Sequence, residues 1–113
     1  MKKTIHLLVA FVLVLTAFQI IKTQLVVTVV NELGNKEAGA SVQLFETEED
    51  YTKETNAVAE AVTDAKGIAR FKDLKAIPYY IIVRKENRDN AGGGEKTDKL
   101  EGGRINKITV VIQ

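Results

Sequence analysis

The stretch AGGGEKTDKLEGG, residues 91–103, has the residue types of a phosphate-binding loop: three consecutive glycines followed by a lysine and a threonine. In such loops, glycines let backbone N–H groups approach the anion while the lysine reaches its terminal oxygens. The known spacing requires one glycine directly before the lysine and one near the start of the loop, positions held here by Glu95 and Asn90. We therefore interpret the stretch as a long connection and not as a nucleotide site.

The connection that contains these glycines, residues 86–103, is still the first place to look for recognition. It is long for a hairpin, and long connections in small domains are functional or disordered, so we expect a mobile loop. Tyrosines outside the core could add a platform on which a sugar stacks. The candidate binding residues are Asn87, Asp89, Asn90, Gly92, Gly93, Gly94, Tyr51 and Tyr80.

Other chemistry has few residues to draw on. Residues 25–113 contain no His, Cys, Met or Trp, which leaves carboxylates, lysines and hydroxyls as reactive groups. We predict no catalysis and no cofactor, and keep a small carboxylate-based envelope enzyme as an alternative. The acidic residues of the 86–103 loop and of 48–50 lack the alternating spacing of a calcium loop, so we assign no metal ligands. An ion or small-molecule carrier that uses the loop remains a second alternative.

The N-terminus indicates export. Lys2 and Lys3 precede an apolar run that begins at Ile5, which is typical of a secretory signal helix. The usual small-x-small cleavage pattern is missing, and the run to Ile21 approaches the length that spans a bilayer, so a retained anchor stays open. We predict a signal peptide or anchor at 1–24 and an exported domain at 25–113, in the periplasm, at the cell surface or secreted. The absence of cysteine excludes lipid-modified cysteine and disulfides.

The exported part is one domain with balanced charge. Of the 16 basic residues, three precede residue 25, so 25–113 carries 13 basic and 15 acidic residues, a net charge of −2. Nucleic acid would require a clustered basic surface, and we exclude it as a partner. Contact with a membrane is expected only through the N-terminal segment, if it is retained.

Short β-branched runs separated by turn residues predict strands. In the tyrosine-led run, Tyr79, Ile81 and Val83 fall on one face, and we expect Tyr79 in the core. The segment 47–56 is polar, and we expect an exposed connection with room for one helical turn. This spacing indicates an all-β antiparallel sandwich. The predicted strands are 25–31, 40–46, 57–63, 69–72, 79–86 and 104–113, with a seventh near 96–100.

One turn carries a family resemblance. The element T-D-x-x-G-x-x-x-F-x-D-L comprises Thr63, Asp64, Gly67, Phe71, Asp73 and Leu74. With the strands around it, it resembles the carboxypeptidase regulatory-like domain, a seven-stranded transthyretin-like, Ig-like sandwich related to the B-type domains of collagen adhesins. The resemblance implies a non-catalytic binding or structural module that contacts protein or glycan at the cell envelope. One departure is Pro78, which follows Ala-Ile where the family has Pro-Gly. Asp64 can cap its turn and Gly67 can take a positive φ, so we expect a folding role for the motif.

Some adhesin-type relatives form an internal isopeptide bond between a lysine of the first strand and an asparagine of the last. Residues 25–31 contain no lysine and residues 108–113 contain no asparagine. We therefore predict no isopeptide bond here. Asn106 and Lys107 lie at the start of the last predicted strand, and we expect both to be exposed.

Overall fold

The computed structural model describes residues 21–113, so residues 1–20 of the predicted signal segment (1–24) lie outside the described residues. Within 21–113, no helix is long and apolar enough to cross a membrane. The elements are β1 (Gln24–Asn31), β2 (Ser41–Phe45), α1 (Glu48–Lys53), β3 (Ala59–Val62), β4 (Ile68–Phe71), β5 (Tyr80–Lys85), β6 (Arg88–Asp89) and β7 (Ile105–Ile112).

The strands form two packed sheets, which confirms the all-β sandwich. One sheet has the order β4-β1-β7 and the other the order β3-β2-β5-β6. The β1–β7 pair is parallel, from Gln24 opposite Ile105 to Asn31 opposite Ile112, whereas the other pairs of named strands are antiparallel. The prediction of a wholly antiparallel sandwich is therefore wrong for this pair. The two strands come from opposite ends of the chain, so no hairpin constrains their relative direction.

The core follows the predicted alternation. Tyr79, Ile81 and Val83 are at most 1% exposed, as are the inward residues of β1 and β2. The phenol of Tyr79 accepts from the Lys75 N–H (3.0 Å) and donates to the Lys75 carbonyl (3.2 Å), so its polar atom is satisfied at the edge of the core. Period-two burial of this kind is the main source of stability in a sandwich.

The turn of the resemblance motif serves the fold. The Asp64 carboxylate accepts from the backbone N–H groups of Lys66 (2.9 Å) and Ile68 (3.1 Å). Gly67 has φ +74°, and a Cβ there would lie 2.8 Å from the Val29 carbonyl oxygen. The motif therefore has the folding role that we expected of it.

Two predicted elements need comment. The seventh strand is β6 and not 96–100, because that segment makes one isolated bridge, between Lys96 and Tyr80. The helical turn allowed for 47–56 is present as α1. The Thr47 hydroxyl caps its first turn by accepting from the Asp50 N–H, and Glu54 ends it in the left-handed region.

The chain enters the sandwich at Thr23. Its carbonyl accepts from the Leu74 N–H (3.0 Å) and its hydroxyl from the Gly103 N–H (2.9 Å). Gln24 continues this link through its N–H, which donates to the Arg104 carbonyl (3.0 Å). Cleavage after residue 24 would remove these contacts.

Candidate functional site

The outer face of the four-stranded sheet carries an aromatic cluster beneath and beside α1. Phe45 is fully buried although it points away from the central core, and Tyr51 of α1 packs edge-on against it with ring centroids 6.2 Å apart. Tyr80 of β5 lies 5.5 Å from Tyr51 at 33°, and the Lys96 ammonium sits 5.0 Å from the Tyr80 ring. The structure therefore brings together the two tyrosines that we predicted as a platform.

A groove of about 270 Å³ opens next to this cluster, between α1 and the segment that follows β5. We call it the acidic groove. Its floor is Ile82, which is 8% exposed. Its other lining residues are Tyr51, Thr52, Glu54, Arg84, Asp89, Asn90, Ala91 and Glu95.

Negative charge dominates the groove. Glu54 forms an ion pair with Arg84, and this contact lowers the pKa of the Glu54 carboxyl. Burial raises the pKa of the Tyr51 phenol, and the neighbouring carboxylates, Glu95 foremost, raise it further. Tyr51 therefore stays protonated at neutral pH and can donate as well as accept a hydrogen bond.

Asn90, a predicted binding residue, forms part of the groove wall, but its amide is already engaged by the protein backbone. Its oxygen accepts from the Val83 N–H (2.9 Å), and its nitrogen donates to the carbonyls of Ile81 (2.9 Å) and Gly94 (2.8 Å). The residue is 3% exposed. Asn90 thus fixes the start of the loop against β5.

The glycine run holds the loop against the other sheet. The Gly93 N–H donates to the Asn90 carbonyl, and the Gly93 carbonyl accepts from the Val111 N–H of β7, both at 2.8 Å. A Cβ on Gly93 would lie 2.1 Å from the Val111 carbonyl oxygen, so the backbones approach as closely as glycine permits. The Ile81 N–H also donates to the Glu95 carbonyl (2.8 Å). The loop is tied to both sheets, in contrast with the mobile connection that we expected.

The remaining predicted residues occupy different places. Asp89 lines the groove, caps the Ala91 N–H (2.9 Å) and pairs through its backbone with Gln113. Asn87 is exposed at the tip of the β5–β6 hairpin and does not line the groove. Gly92 and Gly94 have positive φ values in the turn that follows Asn90.

Three charged lining residues were not among the predicted binding residues: Glu54, Arg84 and Glu95. The position of Arg84 could have been predicted from the sequence, because the alternation of β5 places it on the outer face with Tyr80. Glu54 and Glu95 belong to separate connections, and no local pattern joins them. Among residues 21–113, no group of three or more His, Cys, Asp or Glu side chains is arranged to hold a metal ion.

A second groove, of about 300 Å³, lies on the other side of the same loop, beside the start of β7. Its lining residues include the segment 97–101 and Asn106. The Asn106 amide donates to the carbonyls of Gln24 (3.0 Å) and Glu101 (3.1 Å). Asn106 lies within β7 and is half-buried, so the prediction that it is exposed is wrong. Lys107 is exposed, as predicted.

Comparison with known proteins supports the fold. No family model matches the chain, and no curated protein matches it. Among solved structures, the chain is similar to the crystal structure of the group B streptococcus pilus 2b backbone protein, with a TM-score of 0.53 and 16% identity. The likeness covers 80% of this chain, which spans about 40% of the length of that one. At this identity the comparison establishes a shared β-sandwich fold.

Proposed function

We propose that this chain is an exported, non-catalytic β-sandwich module that contacts a protein or glycan at the cell envelope through the acidic groove. The observation that carries the proposal is the convergence of Tyr51, Tyr80 and the groove carboxylates on one outer face. Aromatic rings with adjacent polar groups suit recognition of a sugar or of a polar protein surface. The apolar N-terminal segment and the sandwich shared with a pilus protein support the location.

We infer a binding role for the groove carboxylates. An enzyme that works with carboxylates needs an acid whose pKa is raised toward neutrality beside a second carboxylate. Hydrogen bonds from their partners lower the pKa of the Glu37, Glu54 and Asp64 carboxyl groups. These groups remain anionic at neutral pH and are suited to hold donors and cations.

Membership of the carboxypeptidase regulatory-like family is part of the proposal. Its support is the geometry of the Asp64–Gly67 turn and of Thr63, whose hydroxyl donates to the Glu37 carbonyl (2.7 Å) and accepts from the Ala40 N–H (2.8 Å). These contacts bind the motif to the beginning of β2. They are consistent with a motif that specifies the sandwich and leaves recognition to other surfaces.

The test uses the full chain with a C-terminal tag, crosslinked and purified from envelopes. Deleting residues 89–95 would also break the backbone contacts to β7, so a substitution is cleaner. Thr52→Arg fills the groove from an exposed position, and Thr55→Arg adds the same charge to the same connection outside the lining. We expect the first variant to lose a partner that the parent and the second retain. Identical partner profiles for all three proteins would contradict the proposal.

A glycan array with the same three proteins separates the two partner classes. A saccharide signal lost in Thr52→Arg and kept in Thr55→Arg assigns a glycan. An array without signal, together with a groove-dependent crosslink, assigns a protein partner.

A further inference from the structure

The outer face of the three-stranded sheet has a different character from the groove face. Residues opposite one another in register share a face, so three rows cross this sheet on its outer side. We call them the basic face. The rows are Arg70–Val26–Lys107, Ile68–Thr28–Thr109 and Lys36–Val30–Val111.

The cations of the basic face form no close ion pair within the described part of the chain. Arg70, Lys107 and Lys36 are exposed, and none takes part in an ion pair within residues 21–113, whereas the seven ion pairs found there use other cations. The rows contain no acidic residue. Asp64 interacts with Arg70 at longer range from the preceding turn, and Glu32 follows the end of β1. The face therefore presents the positive charges of Arg70, Lys107 and Lys36 around Val26 and Val30, which are each 7% exposed.

The apolar N-terminal segment joins the sandwich at one end of this same face. The run from Ile5 to Ile21 leads into β1, the central strand of the sheet, through Lys22 and Thr23. Ile21 is 58% exposed. Ile105 is 54% exposed; it pairs with Gln24 on the outer face, in the row next to the one that contains Arg70 and Lys107. Apolar and basic side chains thus adjoin where the segment enters.

We propose that the basic face lies against an anionic lipid surface, to which residues 1–21 tether the domain as a retained membrane anchor. Anionic headgroups attract lysine and arginine close to the surface, and a short tether raises the effective concentration of the face at the bilayer. The groove then faces away from the lipid. The inference depends on the anchor and not on the identity of the groove partner.

A second copy of the chain fits the basic face less well than a bilayer does. Three strands spaced roughly 4.8 Å apart give a strip only about 15 Å wide. Stable protein interfaces bury about 800 Å² on each partner, which such a strip does not supply without its surroundings. Contact with a lipid surface does not need this buried area, because the tether keeps the basic face close to the bilayer.

The absence of cysteine from the chain permits a direct test. Thr109→Cys places a thiol on the basic face, and Thr52→Cys places one in the groove, both at exposed threonines. Each full-length variant is reconstituted in vesicles of phosphatidylcholine alone or with phosphatidylglycerol, and a membrane-impermeant maleimide measures the labelling rate. Dividing the rate of the Thr109→Cys variant by that of the Thr52→Cys variant removes differences in orientation across the bilayer.

We expect anionic vesicles to slow labelling at position 109 about fivefold relative to position 52, and high salt or neutral lipid to abolish the difference. Adding Arg70→Glu and Lys107→Glu removes the protection, while Lys53→Glu on the groove side leaves it unchanged. Thermal melts of each variant verify folding. Equal labelling at both positions in anionic vesicles overturns the proposal. Protection that persists in neutral lipid and grows with protein density overturns it in favour of self-association.

Discussion

The two outer faces of this sandwich are built from the same alternating strands and yet differ in covering and in charge. On the four-stranded sheet, the β2–β3 connection folds α1 over Phe45 and Ile82, which creates a second small core and a groove. Within residues 21–113, no helix covers the three rows of the three-stranded sheet. Of the charged residues that line the groove, three are acidic and one is basic: Glu54, Asp89 and Glu95 against Arg84.

The difference shows that connections, and not strands, decide what each face can do. A bare sheet face offers flat contact with charges at its margins, which suits an extended surface. A connection that returns across a sheet makes concave space and brings side chains from distant parts of the chain together.

The largest effect is expected from truncation beneath α1. Phe45→Ala removes a fully buried ring from the second core and should lower the free energy of unfolding by about 3–5 kcal/mol. Val26→Ala, at the centre of the basic face, removes less apolar volume and should cost about 1–2 kcal/mol. Urea unfolding of both variants measures the difference. Equal losses would mean that the covered face has no core of its own.

The next effect concerns the close approach of the loop to β7. Gly93→Ala must displace backbone, because its Cβ would meet the Val111 carbonyl oxygen, and we expect a loss of about 3 kcal/mol. Gly92→Ala is the matched control: its φ of +74° is unfavourable for alanine, but the space is open, so about 1 kcal/mol is expected. Thermal melts compare the two. A milder effect at Gly93 than at Gly92 would show that the loop does not depend on this contact.

A pH-dependent effect is expected at Glu37, which joins the β1–β2 connection to the β5–β6 hairpin. Hydrogen bonds from Arg88 (2.8 and 3.2 Å) and Lys85 (3.0 Å) lower the pKa of the Glu37 carboxyl from 4.5 to about 2. Because the folded-state pKa is depressed, the stabilisation is complete above the unfolded-state pKa and is lost as pH falls from about 4.5 to 2.

Urea unfolding between about pH 6 and pH 2 tests this expectation. Glu37→Gln should be less stable than the parent at the upper end of the range and should show a shallower decline. Glu101→Gln, at an exposed site, should follow the parent. Parallel curves for parent and Glu37→Gln would show that the Glu37 pairs contribute nothing to stability.

The smallest effect is a titration in the acidic groove. Glu95→Gln removes the principal neighbouring charge that raises the pKa of Tyr51, and the pKa should move back toward 10.0. Ultraviolet absorbance of phenolate formation follows the change, and Tyr51→Phe identifies the transition by removing it. A transition that is unchanged in Glu95→Gln would place Glu95 outside the field of Tyr51.

Much of the fold could be predicted because its signals are local. The alternation around Ile81 determines the buried face of β5 in any register, and the Asp64–Gly67 turn is determined by one carboxylate and one positive φ. The position of β6 was missed because two polar residues carry no hydrophobic pattern. The parallel pairing of β1 with β7 was missed because nothing in either strand specifies the direction of its partner.

The candidate site was predicted less completely. Tyr51 and Tyr80 were recognised as aromatic residues outside the main core, and their types were sufficient for that. Asn90 was predicted as a binding residue because it lies in a long, glycine-rich connection. Its three hydrogen bonds depend on backbone atoms of β5 and Gly94, whose placement only the folded chain determines.

The parallel pairing of the first and last strands has a mechanical consequence. The eight-residue strands β1 and β7 lie side by side, and the chain enters at Gln24 at one end and leaves at Gln113 at the other. Tension applied between these ends pulls the two strands past each other along their lengths. The hydrogen bonds between β1 and β7 then carry the force together in shear, instead of breaking one after another. A sandwich whose first and last strands pair in this way resists stretching applied between Gln24 and Gln113.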